Sequence, residues 1–191
     1  MGESVLSIIH DYSLPLYHGT INIYSDLIHK HGVQIFPRNK GGMDFGPGFY
    51  LTTNYEQAKE WAERRAAKPV LNKAILELSN MTVRDFLGMK HEFKPIILKF
   101  EVENVKEWEQ LKYKVFEDDH LDWKKFVWIM RQAKHSLYQY DYDLVYGPVA
   151  DGGLLSSNYT DIRAYANMDQ LAVTTNKALK CLRITEVIEC L

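Results

Sequence analysis

The stretch Met43-Asp44-Phe45-Gly46-Pro47-Gly48-Phe49-Tyr50-Leu51-Thr52-Thr53-Asn54, running on into Tyr55-Glu56-Gln57-Ala58-Lys59-Glu60-Trp61-Ala62, constrains the fold more than any other part of the chain. It demands a sharp turn, a strand and a helix in immediate succession. Gly46 and Gly48 can take positive φ and let another group approach the backbone, while Pro47 stiffens the turn between them. Phe49-Tyr50-Leu51-Thr52 is aromatic and β-branched enough for a strand. Thr53 with Glu56, and Asn54 with Gln57, each fit a capping box that opens a helix. Such a strand and helix can bring Tyr50 and Trp61 to one cleft.

The rest of the chain sets the frame for that piece. At 191 residues it is read as one domain, residues 1–191, with a helical insertion over about 103–140. Hydrophobic residues at 46% and charged residues at 25% are ordinary for a soluble globular protein. A formal charge of -2 gives no electrostatic case for general binding to nucleic acid or membranes. No apolar run approaches the ~20 residues of a membrane span, and Met1-Gly2-Glu3-Ser4 lacks the basic start of a secretion signal. Cys181 and Cys190 flank an alternating segment that, if extended, separates them by roughly 30 Å, too far for a bridge. Two unpaired thiols fit a reducing cytoplasm.

Periodicity predicts strands at 14–20, 74–78, 95–102, 143–149, 171–174 and 182–188. It predicts helices at 5–9, 24–30, 55–68, 82–88 and 162–168, with a further helical turn at 175–179. Within 122–130, Trp123, Phe126, Val127 and Met130 share one helical face and read as a packing stripe. Short strands interrupted by helices, without regular βαβ alternation, indicate a mixed α+β domain.

Several enzyme signatures are absent. There is no Walker loop, no strand–GxGxxG–helix unit, no CxxC pair and no HExxH. His29 and His31 face different sides of a helix and the remaining histidines are scattered, so no metal site is expected. Three separated blocks remain: Tyr17-His18-Gly19-Thr20, then Gly46-Pro47-Gly48-Phe49-Tyr50 with Trp61, then Asp169-Gln170-Leu171-Ala172-Val173.

In this order the blocks resemble the ADP-ribosyltransferase superfamily of the diphtheria-toxin and poly-ADP-ribose-polymerase type, the His-Tyr-Glu class. The chain is most similar to small bacterial domains of that class carrying Leu-Tyr-His-Gly, Asp-Phe-Gly-x-Gly-Phe-Tyr-x-Thr, Gln-Ala-x-x-Trp-Ala and Gly-Pro-Val-Ala-Asp blocks, several encoded beside antitoxin-like genes. The likeness implies a split β-sandwich with flanking helices, NAD as co-substrate, an unidentified ADP-ribose acceptor and an antitoxin protein as partner. It implies that His18 bonds a ribose hydroxyl, that the Gly19 backbone with Thr20 beside it holds the nicotinamide carboxamide, and that Tyr50 packs on the nicotinamide ring. Trp61, eleven residues after Tyr50, stands where the class has a second aromatic, and Ala58 where some relatives have a serine. Arg38 and Lys40 can reach a pyrophosphate from the loop before the turn, or serve merely as solvated loop charges.

The departure is at the third block, where Gln170 stands in place of the catalytic glutamate. An amide can bond the ribose 2′-hydroxyl but supplies no negative charge. The resemblance therefore implies mono-ADP-ribosyl transfer with Gln170 orienting the ribose, or transfer aided by an alternative acid, Asp151. The remaining readings are a module that binds NAD or ADP-ribose without turnover, and an NAD glycohydrolase using water.

Overall fold

The computed structural model describes residues 11–35, 42–132, 141–151 and 158–190. The helix expected at 5–9 and the loop residues Arg38 and Lys40 lie outside them.

Among the described residues, seven strands form two sheets. The first has the order β1 (Leu16–Ile21), β3 (Pro95–Val102), β7 (Leu182–Glu189), antiparallel throughout. The second has the order β2 (Phe49–Leu51), β6 (Ala164–Val173), β5 (Leu144–Ala150), β4 (Tyr113–Val115), with β4 parallel to β5. Seven α-helices accompany them among the described residues: α1 (Asn22–His31), α2 (Tyr55–Ala67), α3 (Lys73–Ser79), α4 (Val83–Gly88), α5 (Val105–Trp108), α6 (Leu121–Arg131) and α7 (Asn176–Leu179). The class is α+β, and no helix among the described residues is long and apolar enough to cross a membrane.

The two sheets share one core. Leu16, Ile96, Leu98 and Phe100 of the first sheet are buried in one cluster with Phe49, Leu51, Leu144, Leu171 and Val173 of the second. An isolated antiparallel bridge joins them: the Tyr17 N–H donates to the Thr52 carbonyl at 2.7 Å, and the Thr52 N–H returns a bond to Tyr17 at 2.9 Å. β1 and β2 touch there and diverge beyond it. On the second sheet's outer side, α6 buries the expected stripe of Trp123, Phe126, Val127 and Met130 against Phe45, Phe116, Val145 and Ala172.

Most expected elements form. β3 begins at Pro95, where a missing N–H disturbs the ladder least. α1 stops at Gly32, whose φ of 73° suits glycine at a helix end. α2 opens on Asn54, whose side chain accepts from the Gln57 N–H, but the Gln57 side chain does not reach back to close a box. It reaches Asp169 instead.

Three expectations are corrected. Residues 74–78 are not a strand but the body of α3, capped by Asn72 at its start and by left-handed Asn80 at its end. Both caps satisfy backbone groups that a lone strand leaves open, and Ile75 and Leu76 gain a core around Ile21, Tyr24, Phe86 and Phe93. Residues 162–168 are not a helix: from Ala164 they form the first half of β6, and Asn167 at φ 61° breaks any helical run. The region about 103–140 is not wholly helical either, because β4 adds an edge strand to the second sheet. Its residues 133–140 lie outside the described ones.

Gly19 fixes how α2 lies on β1. A Cβ there would stand 2.0 Å from the Ala58 carbonyl oxygen and 2.8 Å from the Ala62 nitrogen, both rigid helix backbone. Gly19→Ala is therefore expected to destabilise the fold by about 3 kcal/mol, the upper range for overpacking. In a chain of this size that lowers the melting temperature by roughly 6–12 °C, which calorimetry reads directly.

Candidate active site

Where β1 and β2 part, a cleft of about 360 Å³ opens, with His18 and Gly19 of β1, Tyr50 of β2, Trp61 and Arg65 of α2, Arg131 at the end of α6 and Gln170 of β6 on its walls. A second, smaller cavity of about 140 Å³ adjoins it along His18, Met43, Tyr50 and Arg65. The second is lined more by Leu27, Ile28, Val33 and Ile75, with Thr20 and Asn72 as polar points. The three sequence blocks thus converge on one cleft.

His18 is held by its backbone neighbours. Its Nδ1 lies 2.7 Å from the Tyr50 carbonyl oxygen, and its ring stacks on Phe49 with centroids 4.3 Å apart. A carbonyl only accepts, so Nδ1 carries the proton. Burial and, second, the Arg65 guanidinium push the imidazolium down to about 3, against the upward pull of the Tyr50 carbonyl. His18 is therefore neutral at physiological pH, with Nε2 as a bare acceptor.

The Tyr50 hydroxyl is not available to a ligand as a donor. It donates to the Gly46 carbonyl at 2.7 Å and accepts from the Phe45 N–H at 3.0 Å, so it closes the Gly46-Pro47-Gly48 turn upon itself. Gly46, at φ 78°, is where that turn requires a glycine. The Tyr50 ring packs partly into the cluster beneath α6, and the residue also lines the cleft. Trp61 is 42% exposed on α2, with the Arg64 guanidinium 5.7 Å from its ring centroid.

Gln170 is 7% exposed and pairs with Gly147 across β5 and β6. Its Nε2 donates to Asp44 Oδ2 at 2.7 Å and to the Pro148 carbonyl at 3.1 Å. Asp44, equally buried at 7%, also accepts from the Ala150 N–H at 2.8 Å and pairs with Arg131 Nε at 2.8 Å. Arg131 Nη2 continues to the Ala150 carbonyl at 2.9 Å. Its Nη1 and the Thr20 hydroxyl are buried without a hydrogen-bond partner in the structure.

Asp169, beside Gln170, points to the opposite face of β6. Its carboxylate accepts from the Thr52 and Thr53 hydroxyls, from the Thr53 N–H, and from the Tyr146 hydroxyl at 2.9 Å. Burial and that carboxylate push the Tyr146 phenol far above its usual range. Gln57 Nε2 donates to the Asp169 carbonyl at 2.7 Å, and the Asp169 N–H returns to Gln57 Oε1 at 3.1 Å. This clamp fixes the start of α2 against β6, and so fixes Trp61 and Arg65 relative to Gln170.

Asp151 is exposed just beyond β5, is not among the cleft-lining residues, and bonds the Tyr165 hydroxyl at the rim. Arg38 lies outside the described residues. Asp44, Arg131 and the clamp at Asp169 were not singled out from the sequence. Asp44 sat in view within the glycine turn, but its partners are 87 and 126 residues away. Both cysteines are free.

A family model described as "Protein of unknown function (DUF3990)" matches residues 14–184. No curated protein matches the chain.

The His18 state is measurable. Its folded value lies below its unfolded value of 6.5, so its contribution to stability is complete above 6.5 and is lost as pH falls toward about 3. Ring nitrogen shifts in NMR are expected to show a neutral, Nδ1-protonated imidazole at pH 5. Titration near 6.5 would contradict the geometry.

Proposed function

The chain belongs to the DUF3990 family, and from its cleft we propose an NAD-dependent mono-ADP-ribosyltransferase on a split β-sandwich of the kind the sequence resembles. The observation that carries this reading is the convergence of His18, Gly19, Tyr50, Trp61 and Gln170, drawn from three distant blocks, on one cleft.

The fit to a dinucleotide rests on shape and donors. Two adjoining cavities joined at His18 and Arg65 suit a ligand with two ring-bearing ends and a charged middle. Arg65, common to both, suits the pyrophosphate. In this reading the faces of Tyr50 and Trp61 bracket the nicotinamide, with little side-chain entropy left to lose. His18 Nε2 accepts from a ribose hydroxyl, which its neutral tautomer allows.

Cleavage breaks the bond between ribose C1′ and the nicotinamide nitrogen. The electron pair leaves with neutral nicotinamide and an oxocarbenium-like ribosyl develops. A nucleophilic acceptor then bonds C1′ and sheds its proton. Chain elongation is not expected, because it depends on the glutamate that Gln170 replaces. The reading extends to a bacterial or phage-associated cytoplasmic effector or toxin, held in check by an antitoxin protein.

Labelled NAD incubated with the protein and a cell lysate tests the proposal: transfer of label to a macromolecule, with nicotinamide released, is expected. Free ADP-ribose without labelled macromolecule selects a glycohydrolase, and thermal stabilisation by NAD without nicotinamide release selects a binding module. Trp61→Ala should weaken NAD binding about tenfold or more with a smaller change in melting temperature than a core substitution causes, since the residue is 42% exposed. Tyr50→Ala should weaken binding and also destabilise the turn that its hydroxyl closes.

A further inference from the structure

Resting on that reading, we propose that the site is built around an amide at position 170, and that Asp44 is the positioning residue that fixes and polarises it. Gln170 is then no decayed glutamate.

The hydrogen-bond inventory decides the orientation of the side chain. Both groups behind Gln170, the Asp44 carboxylate and the Pro148 carbonyl, only accept. The amide nitrogen must face them, and both its hydrogens are engaged. Oε1 is the atom left for the cleft, where it can accept from the ribose 2′-hydroxyl. Reversing the amide would set Oε1 against a carboxylate and a carbonyl, leaving three buried acceptors facing one another.

Asp44 cannot easily yield. Its Oδ1 is held by Arg131 Nε and its Oδ2 by the Ala150 N–H, so the carboxylate arrives at Gln170 already aligned. Donation from the amide to an anion draws electron density toward Oε1 and makes it a stronger acceptor. The negative charge is thereby kept one side chain behind the ribose, matched by Arg131, while a fixed dipole faces the substrate.

This arrangement is hostile to the residue that the class would place there. A glutamate at 170 would set a second carboxylate within hydrogen-bond distance of Asp44 Oδ2 and beside the Pro148 carbonyl, where one of the two must take a proton or move. Restoring the glutamate alone should therefore harm the protein. Replacing Asp44 by asparagine at the same time removes one of the two negative charges and offers the new glutamate an amide donor, so part of the loss should be regained even though that amide no longer accepts from the Ala150 N–H.

The test is a double-mutant cycle on the full chain: wild type, Asp44→Asn, Gln170→Glu and the double variant, each read by melting temperature, by NAD affinity, and by nicotinamide release as kcat and KM. Both single variants are expected to melt lower than wild type. Asp44→Asn should lower kcat for nicotinamide release by at least about tenfold with a smaller change in KM, because the hydrogen bond to a charged group that holds Oε1 is gone. The double variant should regain stability and kcat relative to Gln170→Glu. A gain of turnover in Gln170→Glu with Asp44 intact would overturn the proposal, as would a double variant showing only the summed losses of the singles. Should the wild type neither bind nor cleave NAD, the NAD reading fails, while the melting cycle still decides whether Asp44 and Gln170 are coupled. Uncoupled melting with active wild type overturns the Asp44 role and leaves the transferase reading standing.

Discussion

The paired backbone bonds between Tyr17 and Thr52 set the geometry on which the cleft depends. They fasten β1 to β2 at one point while the two sheets run on in different partnerships, β1 with β3 and β2 with β6. A cleft opens because pairing stops there. One residue further along β1, His18 turns its Nδ1 to the Tyr50 carbonyl, so a side chain continues the contact that the backbone has ended. Gly19 follows, flush against α2, and lets that helix lie close enough for Trp61 and Arg65 to reach the opening. These consecutive residues each perform a different task, and any side chain at the third would push the helix away.

The alternation of β6 divides a second pair of tasks. Successive residues of a strand face opposite ways, so Asp169 and Gln170 serve different sides of the sheet. Asp169 gathers Thr52, Thr53, Tyr146 and Gln57 into a clamp over the start of α2. Gln170 turns toward Asp44 and the cleft. Buried Asp44 and half-buried Asp169 each sit among several donors, which is the condition for a carboxylate out of water to be tolerated. A slip of one residue in β6 would turn Asp169 away from its donors and take the Gln170 amide from Asp44.

The sequence makes the local parts of this site legible and hides the distant ones. The turn, strand and capped helix from Met43 to Ala62 can be read because each signal lies within a few residues of its partner: glycine with proline, Asn54 with the Gln57 N–H. The α6 stripe is legible for the same reason. The strand character of Ala164–Asp169 is not, because Ala-Tyr-Ala-Asn-Met-Asp carries no alternation, and only its two ends, Ala164 with Ala150 and Asp169 with Pro148, pair with β5 across an irregularity. Residues 74–78 mislead in the other direction: their apolar run suits either state, and the caps at Asn72 and Asn80 settle it. Asp44 reads locally as one more polar turn residue. Its meaning comes from Arg131 and Gln170, far along the chain.

The charges around the cleft bear on how fast such a site can work. Among its described lining residues, Arg64, Arg65 and Arg131 face Glu60 and Asp44, with His18 neutral. Arg64 lies 3.7 Å from Glu60, Arg131 bonds Asp44 at 2.8 Å, and the three guanidinium groups outnumber the two acids. A positive cleft favours a pyrophosphate in the ground state and in the transition state alike. Uniform binding of that kind lowers KM without raising kcat. The cationic ribosyl gains only from groups that strengthen as its charge grows: the faces of Tyr50 and Trp61, and the Gln170 carbonyl oxygen backed by Asp44. A neutral dipole stabilises a developing cation less than a carboxylate at the same distance. If the proposed reading holds, firm binding of NAD with slow cleavage is the kinetic character that this distribution of charge favours.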